Sequence, residues 1–361
     1  MLAPAEPEHS LFPLQGEKTI QVGGRLMLDF GFPSGDSDFA AGTEVRRGRF
    51  RMFGDLATNV AYKLEYDWAS GEAVLKDGYL KLSDLGPGNL TVGHQFEPIG
   101  LETQTSSLYI TFLERSSLSE VLTPGRNTGI QYSDGTEHLT WSGGWFRETD
   151  GSGASPDESS AFTGRVVYRP WFQDGGKSLL HLGAAVSVRD VDQDGMGVRY
   201  RQRPEYHLGD RLVNTDFIMA DGVTLAVFEA GWQEGPMHAQ LEYAQAEVDG
   251  AGDPGFSGWS AQFGYFLTGE SRGYKTSSAT WQRVKPMSNA LDGGMGAWEV
   301  AARISNLDLT ESANVADEME TMSVALNWYL NPYTRMMLNY IMSEVGAVED
   351  DIIALRFSFD W

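Results

Sequence analysis

Apolar and polar residues alternate with a period of two along most of the chain. In the last segment, Asp351–Trp361, every second residue from Ile353 onwards is a medium or large hydrophobe, and the residues between are small or polar. A segment with one apolar and one polar face is a β-strand between two unlike media. The same alternation marks Asn59–Trp68, Ala297–Leu307 and Met322–Leu330. No segment keeps an apolar period of 3.6 over a helical length, so the pattern predicts an all-β protein.

About sixteen such segments are separated by clusters of Gly, Asp, Asn, Pro and Ser, and an even strand number brings both chain ends to one side, as in bacterial transmembrane barrels. They begin near Ile20, Thr43, Asn59, Val74, Asn89, Thr128, Glu137, Phe162, Ser178, Val223, His238, Phe256, Ala297, Met322, Thr334 and Asp351. An open sheet of this size would expose long edges, whereas closure removes them. We therefore predict an antiparallel up-and-down transmembrane β-barrel over residues 18–361, in which the last strand closes against the first. Residues 1–17 are expected to form a flexible lead-in, and the basic segment Val198–Arg203 is assigned to a long loop.

The composition agrees with strands that cross a membrane. The mean hydropathy is −0.30, and no apolar run approaches the roughly 20 residues of a transmembrane helix. Aromatic residues make up 12% of the chain, with 10 Trp and 14 Tyr, and these types settle at membrane–water interfaces. Cysteine is absent, which excludes disulfides and thiolate metal sites. The start, M-L-A-P-A-E-P-E-H, lacks the pattern of a signal peptide, so we expect the numbering of an exported protein to begin near its mature end.

One long segment, residues 97–127, does not fit the strand pattern. It contains many apolar residues, among them Leu101, Tyr109, Ile110, Phe112 and Leu118. Long connections without regular structure are usually functional or disordered, and this apolar content argues against disorder. We predict that the segment folds inward against the barrel wall as a constriction loop.

Several sequence blocks identify a family. The long segment and its flanks contain L-T-V-G-H-Q-F-E-P-I-G-L, F-L-E-R-S and L-T-P-G-R-N-T-G. Further blocks are T-G-E-S-R-G-Y at Thr268–Tyr274, G-A-W-E-V-A-A-R-I-S-N-L-D-L at Gly296–Leu309 and N-W-Y-L-N-P-Y-T-R-M-M-L-N-Y at Asn327–Tyr340. In their order along the chain, these blocks resemble the phosphate-selective porin O and P family.

The resemblance implies a sixteen-stranded barrel in the bacterial outer membrane, usually a homotrimer, with the long third loop folded into the pore. It implies passive diffusion of small solutes, no catalysis and no cofactor. The expected partners are outer-membrane lipid and lipopolysaccharide, further copies of the chain, and small anions such as phosphate. The alternatives are a porin for other small solutes (general, cation-preferring or carbohydrate) and a non-conducting structural or adhesion barrel.

The charge composition bears on the solute. The chain has 50 acidic and 27 basic residues and a net charge of −23, which makes it a poor partner for nucleic acid. Of the 27 basic residues, only seven are Lys and the rest are Arg. Because the guanidinium group is planar and always charged, this bias suits the handling of oxyanions.

An arginine-rich strand is the first candidate site. In T-E-V-R-R-G-R-F-R-M-F-G, Arg47, Arg49 and Arg51 share one face, and Arg46 breaks the alternation, which predicts a strand end or a bulge at that position. Facing hydrocarbon would cost each charge about 2–4 kcal/mol, so the three should face the lumen. Two interpretations are open. The arginines form a ladder that passes phosphate or sulfate along, or carboxylates on the neighbouring strand, such as Glu65 or Asp67, balance them.

Further arginines lie in loops. Arg115 and Arg126, in the inward segment, are candidates for contact with the solute, although Arg115 has Glu114 and Glu120 nearby and Arg126 is placed to anchor the loop's return to the wall. A secondary set at the mouth would gather anions, and it consists of Arg199, Arg201 and Arg203.

An acidic segment and the histidines bear on metal binding and catalysis. Asp190, Asp192 and Asp194 have the opening spacing of a calcium loop, but its twelfth position is Arg201 instead of Glu, which excludes an EF-hand. A looser Ca²⁺ site on an outer loop and a solvated acidic turn are the two interpretations. No histidine lies in a hydrolase motif, so we predict that the protein is not an enzyme; the six are His9, His94, His138, His181, His207 and His238.

Overall fold

The computed structural model describes residues 16–155, 159–191, 197–312 and 317–361. Its strands are β1 Gln21–Gly35, β2 Gly42–Ala57, β3 Val60–Asp67, β4 Val74–Leu85, β5 Gly88–Phe96, β6 Arg126–Gly135, β7 Leu139–Arg147, β8 Ser160–Gln173, β9 Ser178–Asp190, β10 Arg201–Gln202, β11 Val213–Asn214, β12 Ala220–Glu234, β13 Met237–Gly250, β14 Gly255–Phe266, β15 Gly273–Lys275, β16 Thr280–Gln282, β17 Ala297–Asp308, β18 Glu318–Asn331, β19 Thr334–Val345 and β20 Val348–Asp360. The helices are α1 Leu101–Gln104 and α2 Ser117–Val121, with 3-10 turns at Asp174–Gly176 and Ala290–Asp292.

Sixteen of these strands form one closed antiparallel barrel, which confirms the predicted fold. β10 pairs with β11 and β15 pairs with β16 in two small separate sheets within the connections. The segment Val198–Arg203 therefore lies in a loop, as predicted. No helix among the described residues has the length and apolar character needed to cross a membrane.

The barrel closes where the last strand pairs with the first. Along β1 and β20, Arg25 lies opposite Asp360, and the pairing continues to Gly35 opposite Asp350. Beyond this ladder, the amide of Gly24 donates to the carbonyl of Trp361 (3.1 Å), and the amide of Trp361 donates back (3.2 Å). The predicted seam is confirmed. We call the end where β1 begins and β20 ends the terminal end, and the opposite end the loop end.

The two faces of the wall differ as the alternation predicts. Large apolar side chains are exposed on the outside, among them Phe50, Val92, Phe228, Leu241, Val324 and Leu355. Polar and charged side chains are buried on the inside, among them Arg165, Glu229, Gln240, Asn327 and Arg356. Because side chains alternate between the faces of a strand, one strand supplies both the apolar outer surface and the polar inner surface.

Strand β2 contains the irregularity that its sequence predicts. Met27 lies opposite Arg47, but the next residue, Leu28, lies opposite Val45, so Arg46 is the extra residue of a β-bulge. The bulge lets both Arg46 and Arg47 reach the carboxylate of Glu114 in the interior.

Loop L3 (residues 97–125) lies against the inner wall of β17–β20. The amide of Leu113 donates to Oδ1 of Asn339 (2.9 Å). The side chains of Asn327 and Arg335 donate to the carbonyls of Thr111 and Ile110, each at 2.8 Å. These inward side chains bind backbone groups of L3, so the loop occupies part of the interior.

A second long connection, residues 267–296, enters the interior from the terminal end, and we call it the long turn. It joins β14 to β17 and carries β15 and β16. Arg165 of the wall donates to the carbonyls of Ser278 (3.1 Å) and Ala279 (3.0 Å). Trp281 donates to Gln240 (2.8 Å). The sequence pattern did not predict this inward segment.

Loop L5, the connection between β9 and β12, completes the filling of one half of the interior. Its Glu205 accepts hydrogen bonds from Ser305 of the wall (2.6 Å) and from the amide of Ser117 in α2 (3.0 Å). Apolar residues from α2, L5, β12–β14 and β17 pack into one buried cluster, which includes Leu118, Leu122, Tyr200, Val227, Phe256 and Leu307. The interior is therefore packed beside these strands, and open space remains along other parts of the wall.

We predict that Gly24→Val weakens barrel closure. A Cβ at Gly24 would lie 2.5 Å from the carbonyl oxygen of Arg49 and against the ring of Trp361. Overpacking of this kind costs about 1–3 kcal/mol, so the folded barrel in detergent should unfold at a lower temperature. Gly143→Val is the control, because its nearest neighbour is the carbonyl oxygen of Thr163 at 3.8 Å. Equal midpoints for both variants and the wild type would contradict the prediction.

Candidate functional site

A cavity of about 320 Å³ with a mainly basic charged lining lies between β1–β8, L3 and the long turn. We call it the basic cavity. Its charged lining consists of eight bases and one carboxylate: Arg25, Arg49, Arg115, Arg126, Arg165, Lys63, Lys81, Lys275 and Asp77. Hydroxyl and amide groups complete it, including Gln131, Ser133, Thr140, Ser142, Ser277 and Ser278. The lining therefore offers many hydrogen-bond donors and a local excess of positive charge.

Strands β1–β3 bring three of these bases to shared carboxylates. Arg49 donates to Asp67 (2.7 Å) and to Glu65 (3.2 Å). Glu65 also lies 3.6 Å from a terminal nitrogen of Arg25 and 3.1 Å from Nζ of Lys63. A single buried carboxylate is therefore divided among three cations, and its charge compensates each of them only in part.

Arg126 joins L3 to the wall at the rim of the basic cavity. Its Nε donates to Asp77 (2.7 Å), which also pairs with Lys63. The guanidinium carbon lies 3.8 Å from the centroid of the Phe96 ring, within cation–π range. Among the described residues, its two terminal nitrogens have no hydrogen-bond partner, so Arg126 anchors the loop's return and still presents donors to the cavity.

Arg115 braces L3 from within while it lines the basic cavity. Its Nε donates to the carbonyl of Glu102 and one terminal nitrogen donates to the carbonyl of Thr105, both at 2.9 Å. The other terminal nitrogen lies 3.4 Å from Glu120. This residue therefore stabilises the loop conformation through several contacts.

The two arginines at the β2 bulge contact Glu114 of L3. Arg46 approaches that carboxylate at 2.7 Å and Arg47 at 3.1 Å. Arg356 of β20 binds the same carboxylate at 2.6 Å and also binds Asp29. Three cations thus hold one side chain of L3, and neither Arg46 nor Arg47 belongs to the lining of the basic cavity.

Arg51 has a different environment. It makes no ion pair within the described ranges, its guanidinium carbon lies 5.3 Å from the centroid of the Phe53 ring, and its Nε is buried without a hydrogen-bond partner. Of the four arginines predicted from the β2 sequence, Arg49 lines the basic cavity. An anion-binding role for the four stays a prediction.

Sequence reasoning missed five bases of the cavity, which are Arg25, Lys63, Lys81, Arg165 and Lys275. Of these, Lys81 and Lys275 have a distinct environment. Neither has an ion-pair or hydrogen-bond partner in the described part of the chain, and both line the basic cavity. Lys81 had a detectable signal, because it alternates with the outward Leu80 and Leu82 in β4. Lys275 had none, since the inward fold of the long turn has no periodic signature. These ammonium groups are the uncompensated charges of the site.

The predicted mouth residues lie in L5. Arg199 donates to Asn214 (2.8 Å) and lies 3.4 Å from Asp216. Arg203 donates to the carbonyl of Gly209 (2.6 Å), and Arg201 lies opposite Asn214 in the small β10–β11 sheet. Arg199 and Arg203 therefore stabilise the loop, and the proposed capture of anions by the three arginines stays a prediction.

The predicted calcium site falls mostly outside the described residues. Asp192 and Asp194 lie in the range that the structure does not describe, and Asp190 accepts a hydrogen bond from Ser160 (3.4 Å). Within residues 16–155, 159–191, 197–312 and 317–361, no group of three or more His, Asp or Glu side chains is arranged to hold a metal ion. Calcium binding stays a prediction.

A closed sixteen-stranded barrel with an apolar outside, a polar interior and a loop inside defines the class of the outer-membrane porins. The family model for phosphate-selective porin O and P matches residues 20–360. The chain belongs to this family. It is accordingly a porin of the bacterial outer membrane, a channel and not an enzyme.

Two relatives extend the comparison. An uncharacterized protein of Caulobacter vibrioides is 31% identical over 345 residues, which cover 90% of this chain and 68% of the relative. Porin O of Pseudomonas aeruginosa is 26% identical over 383 residues, which cover 93% of this chain and 85% of Porin O. Both alignments extend over most of the barrel.

Solved structures agree in fold at low sequence identity. A loop-deletion mutant of OmpT from Vibrio cholerae matches with a TM-score of 0.61 and 14% identity, covering 95% of this chain and 99% of OmpT. The trimer form of OmpT matches with a TM-score of 0.56 and 13% sequence identity, and the match covers 95% of this chain and 100% of the OmpT chain. An anion-selective porin from Comamonas acidovorans matches with a TM-score of 0.59 and 11% sequence identity, and the match covers 96% of this chain and 100% of that porin chain. At these identities the likeness concerns the fold alone.

We predict that Glu114→Gln strongly destabilises the barrel. Arg46, Arg47 and Arg356 would lose the carboxylate they share, and breaking a buried ion pair costs about 3–5 kcal/mol. The free energy of unfolding, from urea titration of the barrel in lipid vesicles, should fall by that amount.

Glu120→Gln is the matched control for this variant. Its carboxylate is more exposed and makes one ion pair, with Arg115, so the loss should stay below about 1 kcal/mol. Similar losses for both variants would show that Glu114 does not anchor L3.

Proposed function

We propose that this porin is selective for small anions, such as phosphate, which pass through the basic cavity. The observation that carries the proposal is the lining, with eight bases and one carboxylate. Selectivity in a water-filled pore follows from the charge and hydrogen-bonding capacity of its lining. A guanidinium group donates paired hydrogen bonds to an oxyanion, and the hydroxyl groups around Lys81 and Lys275 supply further donors.

The net charge of −23 does not oppose this proposal. Charges in solution are screened beyond a Debye length of about 8–10 Å at physiological salt. Acidic residues on distant loops therefore affect an ion inside the cavity far less than its lining does. The family description supports the same choice of solute.

The competing function is a general or cation-preferring porin. The ion pairs of Arg49 with Glu65 and Asp67 favour this function. They neutralise part of the positive charge of the wall, as expected if carboxylates on the neighbouring strand balance the β2 arginines. The proposal differs in giving weight to the bases without a carboxylate partner, Lys81 and Lys275. The unpaired bases favour anions, whereas a charge-balanced lining removes that preference.

We also propose that the protein assembles as a homotrimer in contact with lipid and lipopolysaccharide. The trimer form of OmpT shares the fold, and the outer wall presents many exposed apolar side chains. Chemical cross-linking in outer membranes tests the assembly, and a product limited to monomers would contradict it.

We predict an anion-selective reversal potential for the purified porin in a planar bilayer under a KCl gradient. Phosphate should then reduce the chloride current, because both anions use the same donors. A reversal potential of the sign for potassium selectivity would overturn the proposed function and favour the charge-balanced wall.

The double variant Lys81→Gln/Lys275→Gln should weaken the block by phosphate. A hydrogen bond to a charged group contributes about 1.5–3 kcal/mol, so the half-blocking phosphate concentration should rise on the order of tenfold. Lys177→Gln/Lys285→Gln is the matched control, because it removes the same charge at exposed sites outside the cavity. Equal effects of the two double variants would contradict a local role.

A further inference from the structure

A second cavity, of about 440 Å³, lies at the loop end, and we call it the vestibule. It is bounded by the return of L3, the loop-end parts of β6, β9 and β12, and L5. Its apolar lining consists of Val121, Leu122, Pro124, Val191, Val198, Tyr200, Val223 and Leu225. Its charged lining consists of three guanidinium groups and one carboxylate: Arg126, Arg189, Arg199 and Glu148. It therefore places apolar side chains beside guanidinium groups.

The apolar lining is unusual for the inside of this class of barrel. Inward positions of channel-forming barrels are polar, yet β12 turns Val223 and Leu225 inward, where each is buried. The adjacent cluster of α2 and L5 covers part of this surface. The remainder, with Val121 and Val198 only partly buried, faces the vestibule, so a solute there meets hydrocarbon as well as cations.

The guanidinium groups of the vestibule keep donors for a ligand. Arg189 binds the buried Glu97 through one terminal nitrogen (2.9 Å), and its other terminal nitrogen lies 3.6 Å from Glu148. Arg199 donates from Nε to Asn214 and pairs with Asp216 at 3.4 Å. Arg126 donates only from Nε, to Asp77. These contacts fix the positions of the three groups and leave the Arg126 terminal nitrogens for an anion.

Arg126 also connects the two cavities, since it lines both the vestibule and the basic cavity. An anion held by its terminal nitrogens would contact a residue that lines both cavities. The loop end of an outer-membrane barrel of this kind, with its longer connections, faces the cell exterior. The vestibule therefore lies upstream of the basic cavity for a solute that enters the cell.

The geometry points to a binding site for organic anions that carry an apolar ring or chain, such as aryl phosphates. The anionic group contacts Arg126, and the apolar body packs against Val121, Val198 and the β12 side chains. The space suffices, because an apolar cavity of about 150 Å³ already binds benzene. A role of this site in uptake rests on the proposed anion channel. Binding of the organic anion does not depend on that proposal.

Three probes separate the contributions of charge and ring. Isothermal titration of the folded porin in detergent is carried out with phenyl phosphate, inorganic phosphate and phenol, each corrected by a titration into detergent alone. Phenyl phosphate should bind about tenfold more tightly than either of the others, since burying roughly 60 Å² of apolar surface yields about that factor. Equal affinities for phenyl phosphate and inorganic phosphate would overturn the inference, and so would equal affinities for phenyl phosphate and phenol.

Paired variants locate the ring. Val121→Thr/Val198→Thr keeps side-chain shape and makes this surface polar, so it should reduce the preference for phenyl phosphate over phosphate to less than threefold. Val167→Thr is the matched control, because Val167 lines the basic cavity instead. If Val167→Thr removes the preference while the double variant keeps it, the ring binds in the other cavity and the inference is overturned.

The same material separates this inference from the proposed function. Potassium selectivity in the bilayer together with ring-dependent binding would overturn the channel proposal and support the vestibule site. Anion selectivity without any preference for phenyl phosphate would support the channel proposal and overturn the vestibule site.

Discussion

Closure of the backbone hydrogen-bond ladder is the constraint on which the rest of this molecule depends. No water is available in hydrocarbon, so every amide and carbonyl of the wall must pair with a neighbouring strand. The pairing of β1 with β20 completes that requirement. Once the sheet is closed, alternation leaves no choice of environment: Phe357 and Phe359 lie on the lipid side, and Arg356 is buried inside.

The closed wall creates a second problem, because a sixteen-stranded barrel encloses more space than its inward side chains fill. L3, L5 and the long turn occupy part of that space, and each brings backbone groups that need partners. Arginines of the wall supply many of them. Arg303 and Arg335 donate to carbonyls of L3, and Arg165 donates to the long turn. The interior is thus held by hydrogen bonds to charged groups, and by the apolar cluster beside β12–β14.

The wall could be predicted from the sequence because its signal is local. Each strand contributes its own alternation, and even the bulge at Arg46 is visible as a break in that alternation. The packing of the interior is not local. Glu114 meets Arg356, which is 242 residues away, and no periodicity relates the two. The long turn likewise resembles an ordinary polar connection, so Lys275 could not be placed in the cavity. Sequence reasoning therefore identified Arg49, Arg115 and Arg126 of the lining and missed Arg25, Arg165 and the three lysines.

The number of arginines in the sequence does not show which of them contact a passing ion, because interior packing determines where each guanidinium group points. An arginine that anchors a loop has its donors directed at protein carbonyls or carboxylates, as Arg46 and Arg47 do with Glu114. If such an arginine turned towards an ion, the buried acceptors would lose their hydrogen-bond partner. Each unsatisfied acceptor would cost about 1–3 kcal/mol of folding stability. Donors for a moving ion must come from groups that the fold does not need. Among the described residues that line the basic cavity, Lys81, Lys275 and the terminal nitrogens of Arg126 are such groups. Anchoring and conduction therefore compete for the same residue type, and the residual donors determine where an anion is held.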